Sequence, residues 1–409
     1  MTDTDSMPDL LDTARAGRLA SRIERIEPFQ VMEFVKQATR LEQAGHDVIH
    51  MSIGEPDFTA PPAVAEAAAS ALRRGLTQYT PALGITPLRE AIAMHYRRMY
   101  NVDVEPARIV VTAGASAALL LACAALVDRD DEVLMPDPTY PCNRHFVTAF
   151  EGRAVLVPSD AAQRFQLSAA HVQQHWGANT RGVLLASPSN PTGTSIDASE
   201  LQRIVDTVRA HDGFAIVDEI YQGLTYDAPP VSALSLHGAH DHVVTVNSFS
   251  KYFSMTGWRL GWLVVPLHWV PAFEKLAQNL FICASALAQH AALACFEPAS
   301  LEIYEQRRLE FKRRRDFLVP ALRELGFGIP VLPDGAFYVY ANCRGIAHPA
   351  ASDSAALAST MLQEAKVSMV PGLDFGVQAP HDYLRISYAT SYERLQQAIA
   401  RLHTLFGAS

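Results

Sequence analysis

The stretch VNSFSKYFSMTGWRLGW, residues 246–262, carries a lysine where one is costly to keep. Lys251 sits among small, aromatic and apolar residues, with Ser248 and Ser250 before it and Arg259 after it. A buried ammonium in such a setting is penalised by desolvation. The residue is either carried to the surface by a turn, or kept because its amine is a reagent. Three other places could serve the same chemistry. In VVTAGAS a strand-like run meets Gly114 and then Ala115, Ser116 and Ala117, which read as the first residues of a helix. The free N–H groups of a helix start favour an anion, and Ser116 adds a hydroxyl donor. Ordinary tight packing accounts equally well for that joint, and it lacks the G-x-G-x-x-G dinucleotide fingerprint. Asn190 stands before Pro191 in LLASPSNPTGT, where an amide is also plain turn chemistry. Asp218 ends the apolar run FAIVD, where a carboxylate needs a cation or hydrogen-bond donors, and Tyr221 follows three residues later.

These residues can act together only if the chain gathers them. From about residue 60 to 300, β-rich apolar runs alternate with helical stretches. The runs are RIVVTAG, DEVLMP, RAVLVP, RGVLLASP, FAIVDEI and HVVTVNSFS. That alternation predicts an α/β fold whose mostly parallel sheet is covered by helices on both faces. Ligands in such sheets bind at the carboxyl ends of the strands, where the polar residues above fall. Beyond residue 300 a long charged helix leads to an α+β block containing PDGAFYVY, VPGLDFG and LRISYATS. The expected organisation is a tail at 1–15, a large domain at 56–299, and a smaller α+β domain made of 16–55 and 300–409.

The 409-residue chain is 49% hydrophobic and 19% charged, with a net charge of −9, which argues against nucleic acid as a main partner. Its five cysteines, Cys123, Cys142, Cys283, Cys295 and Cys343, show no metal-type spacing and read as free thiols in a reducing cytoplasm. The acidic N-terminal stretch has no apolar core of a signal peptide, and the longest apolar run, at 115–127, is too short to span a bilayer. No metal and no membrane partner is expected.

Taken in order, Gly114-Ala-Ser, Tyr140, Asn190-Pro-x-Gly, Asp218-x-x-Tyr221, Ser248-x-Ser250-Lys251 and Arg259 resemble the fold type I pyridoxal-phosphate enzymes. Within them the chain is similar to the class I/II aminotransferases, aspartate aminotransferase-like. The likeness runs from about residue 20 to 400. SFSKYFSMTGWRLGW is its most specific element, supported by SIGEPDF, QYTPALGITPLREAI, SPSNPTG, PDGAFYVY, VPGLDFG and LRISYATS.

The resemblance implies a seven-stranded type of sheet, pyridoxal 5'-phosphate as cofactor, and transfer of an amino group from an L-amino acid to a 2-oxoacid in ping-pong half-reactions, with an aspartate/2-oxoglutarate-like or a broad specificity. It implies that Lys251 holds the cofactor as a Schiff base and shuttles the substrate's proton. Asp218 is expected to pair with the ring nitrogen, and Tyr221 and Asn190 to reach the phenolate oxygen. Tyr140 is expected on the ring face. Ala115, Ser116, Ala117, Ser248, Ser250 and Arg259 are expected around the phosphate. Tyr79 is expected to reach the phosphate of a neighbouring subunit, which implies a homodimer with shared sites. Arg385, Gly54 and Asn190 are expected to take the substrate carboxylate, with Phe375 walling the pocket. Arg144 and His145 are candidates for the substrate's distal end by position alone, and Asn143 for a partner of Asp218. The same cofactor and residues also suit a carbon–sulfur β-lyase or an aminocyclopropane-carboxylate-synthase-like enzyme. A non-enzymatic effector-binding module is the remaining alternative.

Overall fold

Seven of the apolar runs assemble into one sheet in the computed structural model, which describes residues 19–28 and 30–407. In chain order the strands are β1 (Ile49–His50), β2 (Ile109–Thr112), β3 (Glu132–Asp137), β4 (Arg153–Pro158), β5 (Thr180–Ala186) and β6 (Phe214–Asp218). They continue with β7 (Val243–Ser248), β8 (Gly261–Val264), β9 (Tyr338–Asn342), β10 (Val367–Ser368), β11 (Val370–Pro371) and β12 (Tyr383–Ser387). The large sheet has the order β2-β8-β7-β6-β5-β3-β4. Its strands run parallel except β8, which is antiparallel to β2 and β7. Six of these strands match the runs expected from sequence. The seventh, β8, is four residues long and lies inside the lysine motif itself, so its apolar run reads as part of the site rather than as a strand.

The sheet is apolar on both faces. Along β6, Phe214 and Ile216 pack into one core cluster with the helix Ala115–Leu126. Ala215 and Val217 pack into another with the helix Ala198–Ala210. This period-two split is what a strand covered on both sides requires. Register then fixes where the polar strand ends fall: Asp218 pairs with Ala186 and Val246, and Ser248 with Gly261. The ends of β2, β5, β6 and β7 therefore open on one edge of the sheet.

The rest of the chain forms a three-stranded antiparallel sheet, β11-β12-β9, and a parallel pair, β1-β10. The N-terminal part contains a short 3-10 turn, Ser21–Arg25, and then α1, Gln30–Gln43. The tail expected at 1–15 lies outside the described residues. Within the α+β block the helix Ser354–Thr360 is continued by a π turn over Met361–Ala365. Among the described residues no helix is long and apolar enough to cross a membrane.

Candidate active site

The carboxyl ends of the sheet open into a cavity of about 490 Å³. Ala115, Ser116, Tyr140, Asn190, Asp218, Tyr221, Ser250, Lys251, Arg259, Arg385 and Gly54 all line it. Residues spread over more than three hundred positions are thus brought to one volume.

Lys251 follows the end of β7, and its Nζ donates to the Gly54 carbonyl at 2.5 Å. Burial draws its pKa down to about 8; Glu55 opposes this, while Arg385 and Arg259 add to it. An amine with that pKa is partly neutral near pH 7–8, as a nucleophile or proton carrier must be. Its Nζ lies 5.9 Å from the ring centroids of both Tyr221 and Phe337.

Asp218, the last residue of β6, accepts the Ile220 N–H at 3.0 Å. Burial lifts its pKa to about 7, against that bond and the Lys251 charge. A carboxylate so placed gains from a positively charged partner. Tyr221 is buried, and its hydroxyl is 2.9 Å from that of Tyr338.

The anion-facing corner is formed by the start of the helix Ala115–Leu126, with Gly114 as its N-cap at φ 87°. A Cβ on Gly114 would lie 2.6 Å from Nη2 of Arg259, so glycine is what lets the guanidinium cover the helix start. Ser250 lines this corner and Ser248 lies behind it; the Ser248 hydroxyl meets that of Ser250 at 2.9 Å and the Leu260 carbonyl at 3.1 Å. Ala117 continues the first turn without lining the cavity.

On the opposite side, Arg385 projects from β12. Its Nη1 donates to Asn190 Oδ1 at 3.2 Å and its Nη2 to the Ser52 carbonyl at 2.5 Å. Its guanidinium lies 4.8 Å from the Tyr338 ring centroid and 5.1 Å from that of Phe375. Nε is buried without a protein partner. A fork held on one edge with a donor left over suits a carboxylate. Gly54 fits beneath the Tyr338 hydroxyl, which a Cβ would approach to 2.6 Å.

Several expected residues lie elsewhere. Phe375 is fully buried and supports Arg385 from behind rather than lining the cavity. Tyr79 is 83% exposed on the single chain and does not line this cavity. Arg144 is tied to the Asp374 carbonyl at 3.1 Å and to Glu27 at 3.0 Å, and His145 is half-buried outside the lining. Asn143 is fully buried, yet neither amide atom has a protein partner, so it makes no bond to Asp218. Sequence reasoning missed Tyr338, although it sits in the quoted PDGAFYVY. It also missed Glu55 and the apolar lining residues Val31, Met32, Val35, Ile53, Leu119 and Ile220.

An α/β sheet with a lysine, a carboxylate, a helix-start anion corner and an arginine fork at one edge defines a pyridoxal-phosphate type of site. Residues 46–402 match the family described as Aminotransferase class I and II, and the chain belongs to that family. It is 38% identical to the valine–pyruvate aminotransferase of Mycobacterium tuberculosis, over 92% of this chain and 96% of that protein. It is 34% identical to aromatic-amino-acid aminotransferase 2 of Thermococcus litoralis, over 94% and 97%. The solved aspartate aminotransferase from Thermus thermophilus with maleate superposes with a TM-score of 0.89 at 33% identity, covering 95% of this chain and all of that one (100%).

The protein is therefore a pyridoxal-phosphate-dependent aminotransferase acting on amino acid and oxoacid substrates, and not a lyase or an effector module. The cavity fits that cofactor on its own terms. Gly114 brings the Arg259 guanidinium onto the helix start, where the two together would suit a phosphate, and Asp218 and Lys251 in the same cavity would suit a cationic ring nitrogen and an aldehyde.

Proposed function

We propose that Lys251 bonds the cofactor and moves the substrate proton, and that Arg385 grips the substrate α-carboxylate. The observation that carries this reading is a lysine drawn to a pKa of about 8 in the same cavity as Asp218, Arg259 and Arg385. When bound, pyridoxal phosphate supplies an electron-withdrawing ring that stabilises charge on the substrate α-carbon. The chain's own residues do the rest. The N–H groups of Ala115 and Ser116, the Ser250 hydroxyl and the Arg259 guanidinium bind the phosphate, with Ser248 holding Ser250 and Ala117 completing the helix turn behind them. Asp218 keeps a negative charge opposite the ring nitrogen, and Tyr140 packs on the ring face. Tyr221 and Asn190 donate to the ring's oxygen. Lys251 Nζ takes the proton from the α-carbon and returns it one position away. Arg385, Asn190 and the Gly54 N–H orient the α-carboxylate, and Phe375 stiffens the fork from behind.

The reading extends to organisation. Residues 16–55 and 300–409 act as one smaller domain that closes on the 56–299 domain when Arg385 and Gly54 take a carboxylate. Tyr79 crosses to the neighbouring subunit's phosphate in a homodimer; its exposure on an ordered loop supports a partner that covers it. All five cysteines are free thiols, which supports a cytoplasmic setting.

Borohydride reduction of the cofactor-loaded protein followed by peptide mapping tests the central assignment. The pyridoxyl label is expected on Lys251. Recovery on Lys36 or Lys275 instead would overturn it.

A further inference from the structure

We propose that Val31, Met32 and Val35, on the first turns of α1, form the wall that reads the substrate's side chain, and that they select an amino acid with an apolar one. The inference rests on the aminotransferase reading of the cavity and names its substrate class. Among the described residues the lining cations are Lys251, Arg259 and Arg385. Lys251 reaches the Gly54 carbonyl, Arg259 covers the helix start, and Arg385 is the α-carboxylate fork. No lining cation of this chain remains for a second carboxylate, and Glu55, also in the lining, repels one. Arg144 is engaged with Glu27 and Asp374.

Phe375 is common to the fork, which lies on its ring, and to the core cluster that holds the wall. Arg385 lies on Phe375, and Phe375 packs in the same core cluster as Val31, with Val35 against it. Val31, Met32 and Val35 line the same cavity as Arg385, so a substrate held at the fork meets their methyl groups with its side chain. The Val31 N–H, a first-turn donor without an intrahelical acceptor, donates to Asp374 Oδ2 at 2.7 Å. The loop bearing Asp374 is pinned in turn, because the Val377 and Gln378 N–H groups donate to the Asp137 carboxylate at the end of β3. Asp374 is thus a positioning residue for the wall.

The test is the donor half-reaction of the cofactor-loaded enzyme, followed by the cofactor's absorbance, with alanine, valine, leucine, methionine, phenylalanine, aspartate and glutamate. Leucine and methionine are expected to exceed aspartate and glutamate in kcat/KM by about 100-fold. Aspartate or glutamate at or above leucine overturns the inference and leaves the aminotransferase reading intact. Failure of every amino acid overturns that reading instead. Val31→Ala is expected to lower the leucine-to-alanine ratio about tenfold, and Val35→Lys to raise aspartate relative to leucine by a similar factor. Asp374→Ala should lower the leucine-to-alanine ratio in the same direction, and Asp374→Asn, which keeps an acceptor for the Val31 N–H, should restore it. Variants that slow all donors alike would show that the wall does not read the side chain. If they fail to fold, the wild-type panel decides.

Discussion

The cofactor side of the cavity hangs from strand ends, whereas much of the substrate side hangs from a helix start and loops. Asp218 closes β6, Lys251 lies three residues beyond β7, and Gly114 two beyond β2. Each is held by a ladder running the length of a buried strand. Across the cavity, Val31 is tied to Asp374 by one backbone hydrogen bond, and Gly54 lies between β1 and the next helix. Arg385 is the exception on that side, paired with Tyr340 and Val370 within its sheet. Groups that must keep constant geometry toward one cofactor are built on the stiffest backbone. The surfaces that meet a variable side chain rest on local contacts, which can be altered without disturbing the sheet.

If that contrast is right, damage on the strand side should be the more severe. Asp218→Ala is expected to lower kcat by several orders of magnitude while the folded protein still forms, since on the proposed reading Asp218 is the charge opposite the ring nitrogen. Circular dichroism checks the fold and steady-state turnover the loss. A variant that keeps more than about a tenth of wild-type turnover would place the ring's charge partner elsewhere.

A second comparison concerns the one expected site residue that faces away from the single chain. Mixing Tyr79→Ala and Lys251→Ala proteins under conditions that exchange subunits is expected to restore up to about a quarter of wild-type activity. Half of the dimers are then mixed, and each carries one complete site. Activity that never exceeds the sum of the two parents would place Tyr79 outside the partner's site.

The same contrast explains what could be read from the sequence. Lys251, Asp218 and Asn190 stand out because each is a polar group in or beside an apolar run, where burial is costly without a use. Six strands of the sheet stand out because buried parallel strands are continuous apolar runs. Val31, Met32 and Val35 do not stand out. Apolar residues at helical spacing read as core, and only the fold reveals that one edge of that stripe faces a cavity. Tyr338 is hidden for the same reason, as one aromatic among several in GAFYVY. Phe375 was expected to wall the pocket from its place in a turn motif, but the Arg385 guanidinium on its ring puts it one layer back.

The smallest effect tests whether the two sides speak to each other electrically. In the cofactor-free protein the Lys251 ammonium should lose its proton near pH 8, against 10.5 for an ordinary lysine, chiefly through burial. A lowered lysine pKa means the free amine prevails above pH 8 and the ammonium below it. Labelling of Lys251 by an amine-reactive reagent should therefore rise with pH and level off above about 9, one unit beyond that midpoint. The Arg385 charge adds a smaller push in the same direction as burial, and Glu55 a pull against it. Arg385→Met removes a repelling cation, so the midpoint should move up. Glu55→Gln removes an attracting anion, so it should move down. Each shift is expected to stay under about one pH unit, or roughly 1.4 kcal/mol. A midpoint near 10 in the wild-type protein would mean that burial is not what holds the amine ready. Shifts of the same sign in both variants would mean that the substrate side acts on Lys251 by repacking and not through charge.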